Sequence, residues 1–109
     1  MGIELAETAQ RAAILRAAGL NAHHIVAVKD ARAEFARMVL ALRGIGPNSA
    51  ANGVWLPRVV HAPIHTNAYY ANVNMVLGKY YFGAFRPTLE LVHDLARIGK
   101  LLNNGQLPL

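Results

Sequence analysis

Four of the five histidines in this chain fall into two pairs: His23 and His24 are adjacent, just after a turn, and His61 and His65 stand four residues apart. Imidazole titrates near neutral pH and binds metal ions when neutral, so such a collection suits proton transfer or metal coordination. In the first turns of a helix, His61 and His65 would share one face, a common spacing for metal ligands. Adjacent residues of a strand point to opposite sides, so only one of His23 and His24 can share a direction with those ligands, and the other is left to face a substrate. That division suits phosphodiester hydrolysis, in which a metal neutralises growing charge while a neutral imidazole takes a proton from the attacking water. Taken singly, the remaining residues read more plainly. His93 falls on the outer part of a helix and reads as inert. Tyr69, Tyr70, Tyr80 and Tyr81 recur at helical spacing and read as packing rather than as platforms for bases, and Asn48 and Asn52 read as turn residues.

The elements that must position these groups follow from periodicity. Residues 3–18 form an alanine-rich helix by propensity, with Glu4 and Glu7 early, Arg11 and Arg16 late, and Gly19 as its stop. The run His23-His24-Ile25-Val26-Ala27-Val28 favours a short strand. Asp30 reads as the N-cap of a helix to about Arg43, with Phe35, Met38, Val39 and Leu42 as its buried stripe and Gly44 closing it. Ser49-Ala50-Ala51 suggests one helical turn, and Val54-Trp55-Leu56 a second strand stopped by Pro57. A longer helix starts near Pro63 or Thr66 and turns Tyr69, Tyr70, Val73, Val76, Leu77 and Tyr80 to one side. Thr88 looks like the cap of a last helix, 88–102, with Leu91, Val92, Leu95, Ile98 and Leu102 inward.

Composition bounds what this assembly can be. A chain of 109 residues, 54% hydrophobic and 16% charged, suits one domain with one core and is not that of a disordered segment. With no cysteine, disulfides and thiolate zinc sites are excluded, and any metal must take imidazole, carboxylate or water. Eleven basic against six acidic residues give a formal charge of +5, which favours a polyanion or an acidic protein as partner. Lys29, Arg32 and Arg37 follow the first histidine pair and Arg58 precedes His61, so Lys29, Arg32 and Arg58 are the candidate phosphate contacts. No segment has the length of an apolar membrane span, and the N-terminus lacks the order of a signal peptide. Export is therefore expected to be carried by a longer parent protein.

The order of these signals is more specific than any one of them. Ala22-His23-His24-Ile25-Val26, then Ala36-Arg37 through Leu42, then Gly44-Ile45-Gly46-Pro47-Asn48-Ser49-Ala50-Ala51-Asn52-Gly53-Val54-Trp55-Leu56-Pro57, then His65-Thr66 and Tyr69-Tyr70, resembles the AHH family of HNH/endonuclease VII nucleases. The similarity runs roughly from Asn21 to Leu77 and extends to the nuclease colicins, where a His-His pair precedes an Asn, a Pro and a His-x-x-x-His run. It implies an α+β, mostly helical fold: a ββα-metal core of two short antiparallel strands and a metal-binding helix, with helices flanking it in a single domain, 1–109. It implies a metal-dependent endonuclease, of DNA before RNA, using one divalent ion (Mg, Mn, Zn or Ni). Carried onto this chain, His24 would be the general base and Asn52 the orienting asparagine. His23, His61 and His65 would be metal ligands, with Asn67 and Tyr70 as additional site residues; the roles of His23 and His24 are open to exchange. Family members are typically toxin domains, which implies delivery from a producing bacterium, action in the cytoplasm of a target cell, and an acidic immunity protein as partner. A basic binding module without catalysis is the competing reading, and it has no need of histidines and an asparagine in that order.

Overall fold

Leu20–His24 (β1) and Gly53–Pro57 (β2) pair antiparallel, with Ala22 opposite Trp55, His23 opposite Val54 and His24 opposite Gly53. The two strands frame a computed structural model that describes residues 9–57, 66–82 and 86–106. Ahead of β1 runs α1 (Ala9–Ala17), which buries none of its side chains and lies along the sheet with Arg16 5.7 Å from the centre of the Trp55 ring. Gly19, at φ 90°, turns the chain from this helix into β1. The helix expected over 3–18 is thus seen from Ala9, since residues 1–8 lie outside the described residues.

β1 lies ahead of its β-favouring run, sharing only His23 and His24 with it: pairing begins at Leu20 and ends at His24, and the next two residues turn inward. Ile25 and Val26 are 2% and 1% exposed and join the core instead of pairing along a strand. After them, Asp30 caps a 3-10 turn, Ala31–Ala33, by accepting from the Arg32 N–H at 2.9 Å, and α2 (Glu34–Leu42) follows. This helix closes with Gly44 at φ 71°. The Gly44 N–H donates to the Ala41 carbonyl and the Ile45 N–H to the Leu40 carbonyl, a Schellman termination that puts Ile45 in the core.

The buried stripe of α2 is not the one its periodicity suggests. Ala36, Val39 and Leu40 are inside, following Ala33 of the preceding turn, whereas Met38 is 40% and Leu42 63% exposed and Phe35 is half-buried. The apolar arc of this helix, opposite Glu34 and Arg37, is wider than the surface that packing can cover, so periodicity leaves open which part of it is buried. Packing against α3 (Asn67–Phe82) selects the face with the small Ala33 and Ala36, which permit close approach.

Ser49 caps a second 3-10 turn, Ala50–Asn52, that leads directly into β2. α3 begins where the Thr66 hydroxyl accepts from the Tyr69 N–H at 3.1 Å, and it buries Tyr69, Tyr70, Val73, Leu77 and Tyr80 as its spacing predicts. α4 (Thr88–Asn103) buries Leu91, Leu95, Ile98 and Leu102, but Thr88 is its first helical residue and no side chain caps it; the cap position belongs to Pro87. α4 packs on β2 through Gly99, where a β-carbon would stand 3.3 Å from Val54 Cγ2 and 3.7 Å from Ile25 Cδ1. The result is an α+β fold in which a two-stranded sheet and the inward turn at Ile25 and Val26 sit against α3 and α4.

Candidate functional site

The end of β1 opens onto a cleft, and both histidines border it. Its other walls are the segment Ala27–Asp30, Asn48 from the turn before β2, and Tyr70 from α3. His23 and His24, both paired within the β1 ladder, border the same cleft.

His24 Nε2 lies 2.7 Å from Asn48 Oδ1. Asn52, four residues on, is fully buried and never reaches the histidine. Its Oδ1 accepts from the Val26 N–H at 2.7 Å, and its Nδ2 donates to the carbonyls of Val26 at 3.0 Å and Pro47 at 2.8 Å. Its backbone carbonyl accepts from the Ile25 N–H at 2.8 Å. The asparagine expected to orient the site therefore works on backbone, tying the segment after His24 to the turn that carries Asn48. Asn48 itself shows in the sequence only as a turn residue, because a contact across 24 positions depends on how the two loops meet.

The cationic side chains near the cleft divide by what they already hold. Lys29 is exposed on its rim. Arg32, expected as a phosphate contact, clasps Asp30 with Nε at 3.0 Å and NH2 at 2.8 Å, and it gives NH1 to Asn67 Oδ1 at 2.6 Å. Its guanidinium lies 4.3 Å from the centre of the Tyr70 ring. Those bonds from Arg32 hold the Asp30 carboxyl well below the usual carboxylate range. Burial pushes the Tyr70 phenol up, and the neighbouring Asp30 charge adds to the shift. Arg37 points inward and spans the carbonyls of Ala27 and Asp30 at 2.8 and 2.7 Å, bracing the cleft wall. Tyr69, buried beside Tyr70, donates its hydroxyl to the Ile25 carbonyl and so fixes the inward turn after His24.

Of the residues expected at a site, His23, His24, Lys29 and Tyr70 border the cleft, while Asn52, Arg32 and Asn67 hold its walls. His61, His65 and Arg58 lie outside the described residues. Among the described residues no three His, Asp or Glu side chains gather closely enough to hold a metal ion. His23 and His24 line the cleft, and the Asp30 carboxylate is taken up by Arg32. Imidazole is a donor that divalent transition ions accept, so the residues present fit such an ion in part.

Over residues 5–102 the sequence matches a family described as a nuclease family of the HNH/ENDO VII superfamily with conserved AHH. The chain belongs to this AHH nuclease family. Its Ala-His-His is Ala22-His23-His24, the last three residues of β1, so the motif that defines the family forms one wall of the cleft. The match also takes in α1 and most of α4, well beyond the stretch from Asn21 to Leu77. Searches of curated proteins and of solved structures find no significant match. No helix among the described residues is long and apolar enough to cross a membrane.

Proposed function

We propose that this domain is a metal-dependent endonuclease of DNA in which His24 is the general base. The observation that carries the reading is the position of Ala22-His23-His24: the family motif ends β1 on the wall of an open cleft, with exposed Lys29 on the rim to meet a phosphate. The excess of positive charge over the whole chain supports a polyanionic substrate.

In this reading a phosphodiester lies in the cleft against Lys29. A water positioned beside His24 gives up a proton to the imidazole as its oxygen attacks phosphorus. The bond from phosphorus to one bridging oxygen then breaks, and solvent protonates the departing oxygen. A divalent ion held by His23 with His61 and His65 would supply, when bound, neutralisation of charge on the phosphate and the leaving oxygen. Tyr70, Arg32 and Asp30 keep the cleft wall fixed throughout.

The test is plasmid nicking by the purified chain with Mg²⁺, Mn²⁺, Ni²⁺ or Zn²⁺, with and without chelator, beside His24→Ala. Cleavage that chelator abolishes and His24→Ala lowers by about 10²-fold or more supports the reading, as expected for loss of a general base. Full activity in His24→Ala refutes the assigned base, and chelator-insensitive cleavage removes the metal. Single-stranded DNA and RNA in the same assay decide the nucleic acid.

The proposal extends to biological setting. The domain acts as a toxin delivered from the producing bacterium into a target-cell cytoplasm, and an acidic immunity protein restrains it, a pairing supported by the charge of +5. Growth arrest on cytoplasmic expression, lost in His24→Ala, is the corresponding test.

A further inference from the structure

A general base is useful only if the correct nitrogen faces the water, and an imidazole ring on a cleft wall has two orientations and two neutral tautomers. The surroundings of His24 select among them. An amide oxygen is an acceptor only, so a neutral ring placing Nε2 2.7 Å from Asn48 Oδ1 carries its proton on Nε2 and leaves the lone pair on Nδ1. Rotating the ring or moving the proton loses that bond.

The distance between the two residues is set from below. Ile25, next to His24, donates its N–H to the Asn52 carbonyl at 2.8 Å, and the carbonyl of Pro47, next to Asn48, accepts from Asn52 Nδ2 at 2.8 Å. Ser49 N–H closes the turn onto the Gly46 carbonyl at 3.0 Å, and Pro47 has its φ fixed by its ring. Asn52, fully buried, thus connects the neighbours of both partners through its backbone carbonyl on one side and its side-chain amide on the other, and Asn48 is exposed at the tip of a braced turn.

We propose that Asn48 is the positioning residue for His24: its side-chain oxygen holds the imidazole as the Nε2–H tautomer and presents Nδ1 as the basic atom. This rests on the reading of His24 as the base. Asn52 contributes one step removed, by placing the turn.

The experiment compares wild type, Asn48→Ala and Asn48→Asp for kcat and KM in metal-supported plasmid nicking. The ¹⁵N shifts of the neutral His24 ring are measured alongside, with His24→Ala providing their assignment. Asn48→Ala is expected to lower kcat by roughly ten-fold, the scale of one orienting hydrogen bond, with KM changed by less than about two-fold. The two ring nitrogen shifts should move toward each other as tautomers mix. Asn48→Asp retains the acceptor oxygen and should restore the wild-type shift pattern of the neutral ring, while its charge raises the pH at which that ring becomes neutral. Unchanged ring shifts in Asn48→Ala overturn the proposal, as does an Asn48→Asp ring that, once neutral, fails to regain the Nε2–H pattern. If the wild type cleaves no nucleic acid, the functional reading fails, and the ring shifts alone still decide whether Asn48 fixes His24.

Discussion

Replacing Asn52 with alanine should damage this fold more than most single changes. The side chain is fully buried and makes three hydrogen bonds, all to backbone groups of two separate loops. A buried hydrogen bond contributes about 1 kcal/mol net, and a buried donor left without an acceptor costs about 1 to 3 kcal/mol. The Val26 N–H is that donor, since Val26 is 1% exposed and Asn52 Oδ1 is its acceptor. The loss of three bonds with one orphaned N–H comes to roughly 3–5 kcal/mol, a large share of the ~5–15 kcal/mol that hold a typical domain together. Urea unfolding followed by circular dichroism should show a lower midpoint at unchanged slope, and Tm should fall by about 15–25 °C.

Asn52→Asp separates this account from simple loss of packing. It keeps an acceptor for Val26 but turns a carboxylate oxygen toward the carbonyls of Val26 and Pro47. Its carboxyl should therefore have a raised folded pKa, so that the variant gains stability as pH falls toward 4 and loses it as pH rises. A destabilisation of Asn52→Ala below about 1 kcal/mol, or an Asn52→Asp variant as stable as wild type at pH 7, would refute the reasoning.

Two further outcomes follow from contacts remote from the cleft. Asp94 is opposed in its ionisation by burial, but hydrogen bonds from Lys79 and Tyr80 and the charges of Lys79 and Arg97 outweigh that, so its carboxyl lies below the usual range. A depressed carboxyl pKa stabilises the fold above the unfolded value near 4 and ceases to do so as pH falls through the folded value. Asp94→Asn should thus lower stability at pH 7 by on the order of 1 kcal/mol and flatten its decline in acid, measured by urea unfolding from pH 7 to 2. At Gly99, where a β-carbon meets Val54 Cγ2 at 3.3 Å, Gly99→Leu should push α4 off β2 and cost about 2 kcal/mol or more, despite the better helix propensity of leucine. Thermal unfolding decides this, and an unchanged Tm would show that the contact yields.

Much of the site was legible from residue types and order. Ala22-His23-His24 marked the family, and the spacing of Tyr69, Tyr70, Val73, Leu77 and Tyr80 gave the buried face of α3, with Val76 at its half-buried edge. The period of bulky tyrosines and aliphatics was enough there, although α3 also carries Met75 and Tyr81 outward. It is not enough for α2, whose apolar arc is wider than the surface it buries, and the contact with α3 chose Ala36, Val39 and Leu40 over Met38 and Leu42.

Charge was legible as a sum and not as a distribution. The basic excess near the first histidine pair is real, yet Arg32 is spent on Asp30 and Asn67, and Arg37 on two carbonyls, leaving Lys29 exposed at the rim. Whether an arginine meets a substrate or its own backbone depends on which acceptors lie within about 3 Å, and a one-dimensional order does not state that.

By itself, the sequence determined the family, the histidine pair, the absence of thiolate chemistry and the order of the elements, because these depend on residue identity and local period. Only the tertiary structure decided the duties of the two asparagines. Asn52 became a buried tie between loops and Asn48 the partner of His24, since hydrogen bonds reach across chain separations of 26 and 24 residues only after packing has brought those loops together.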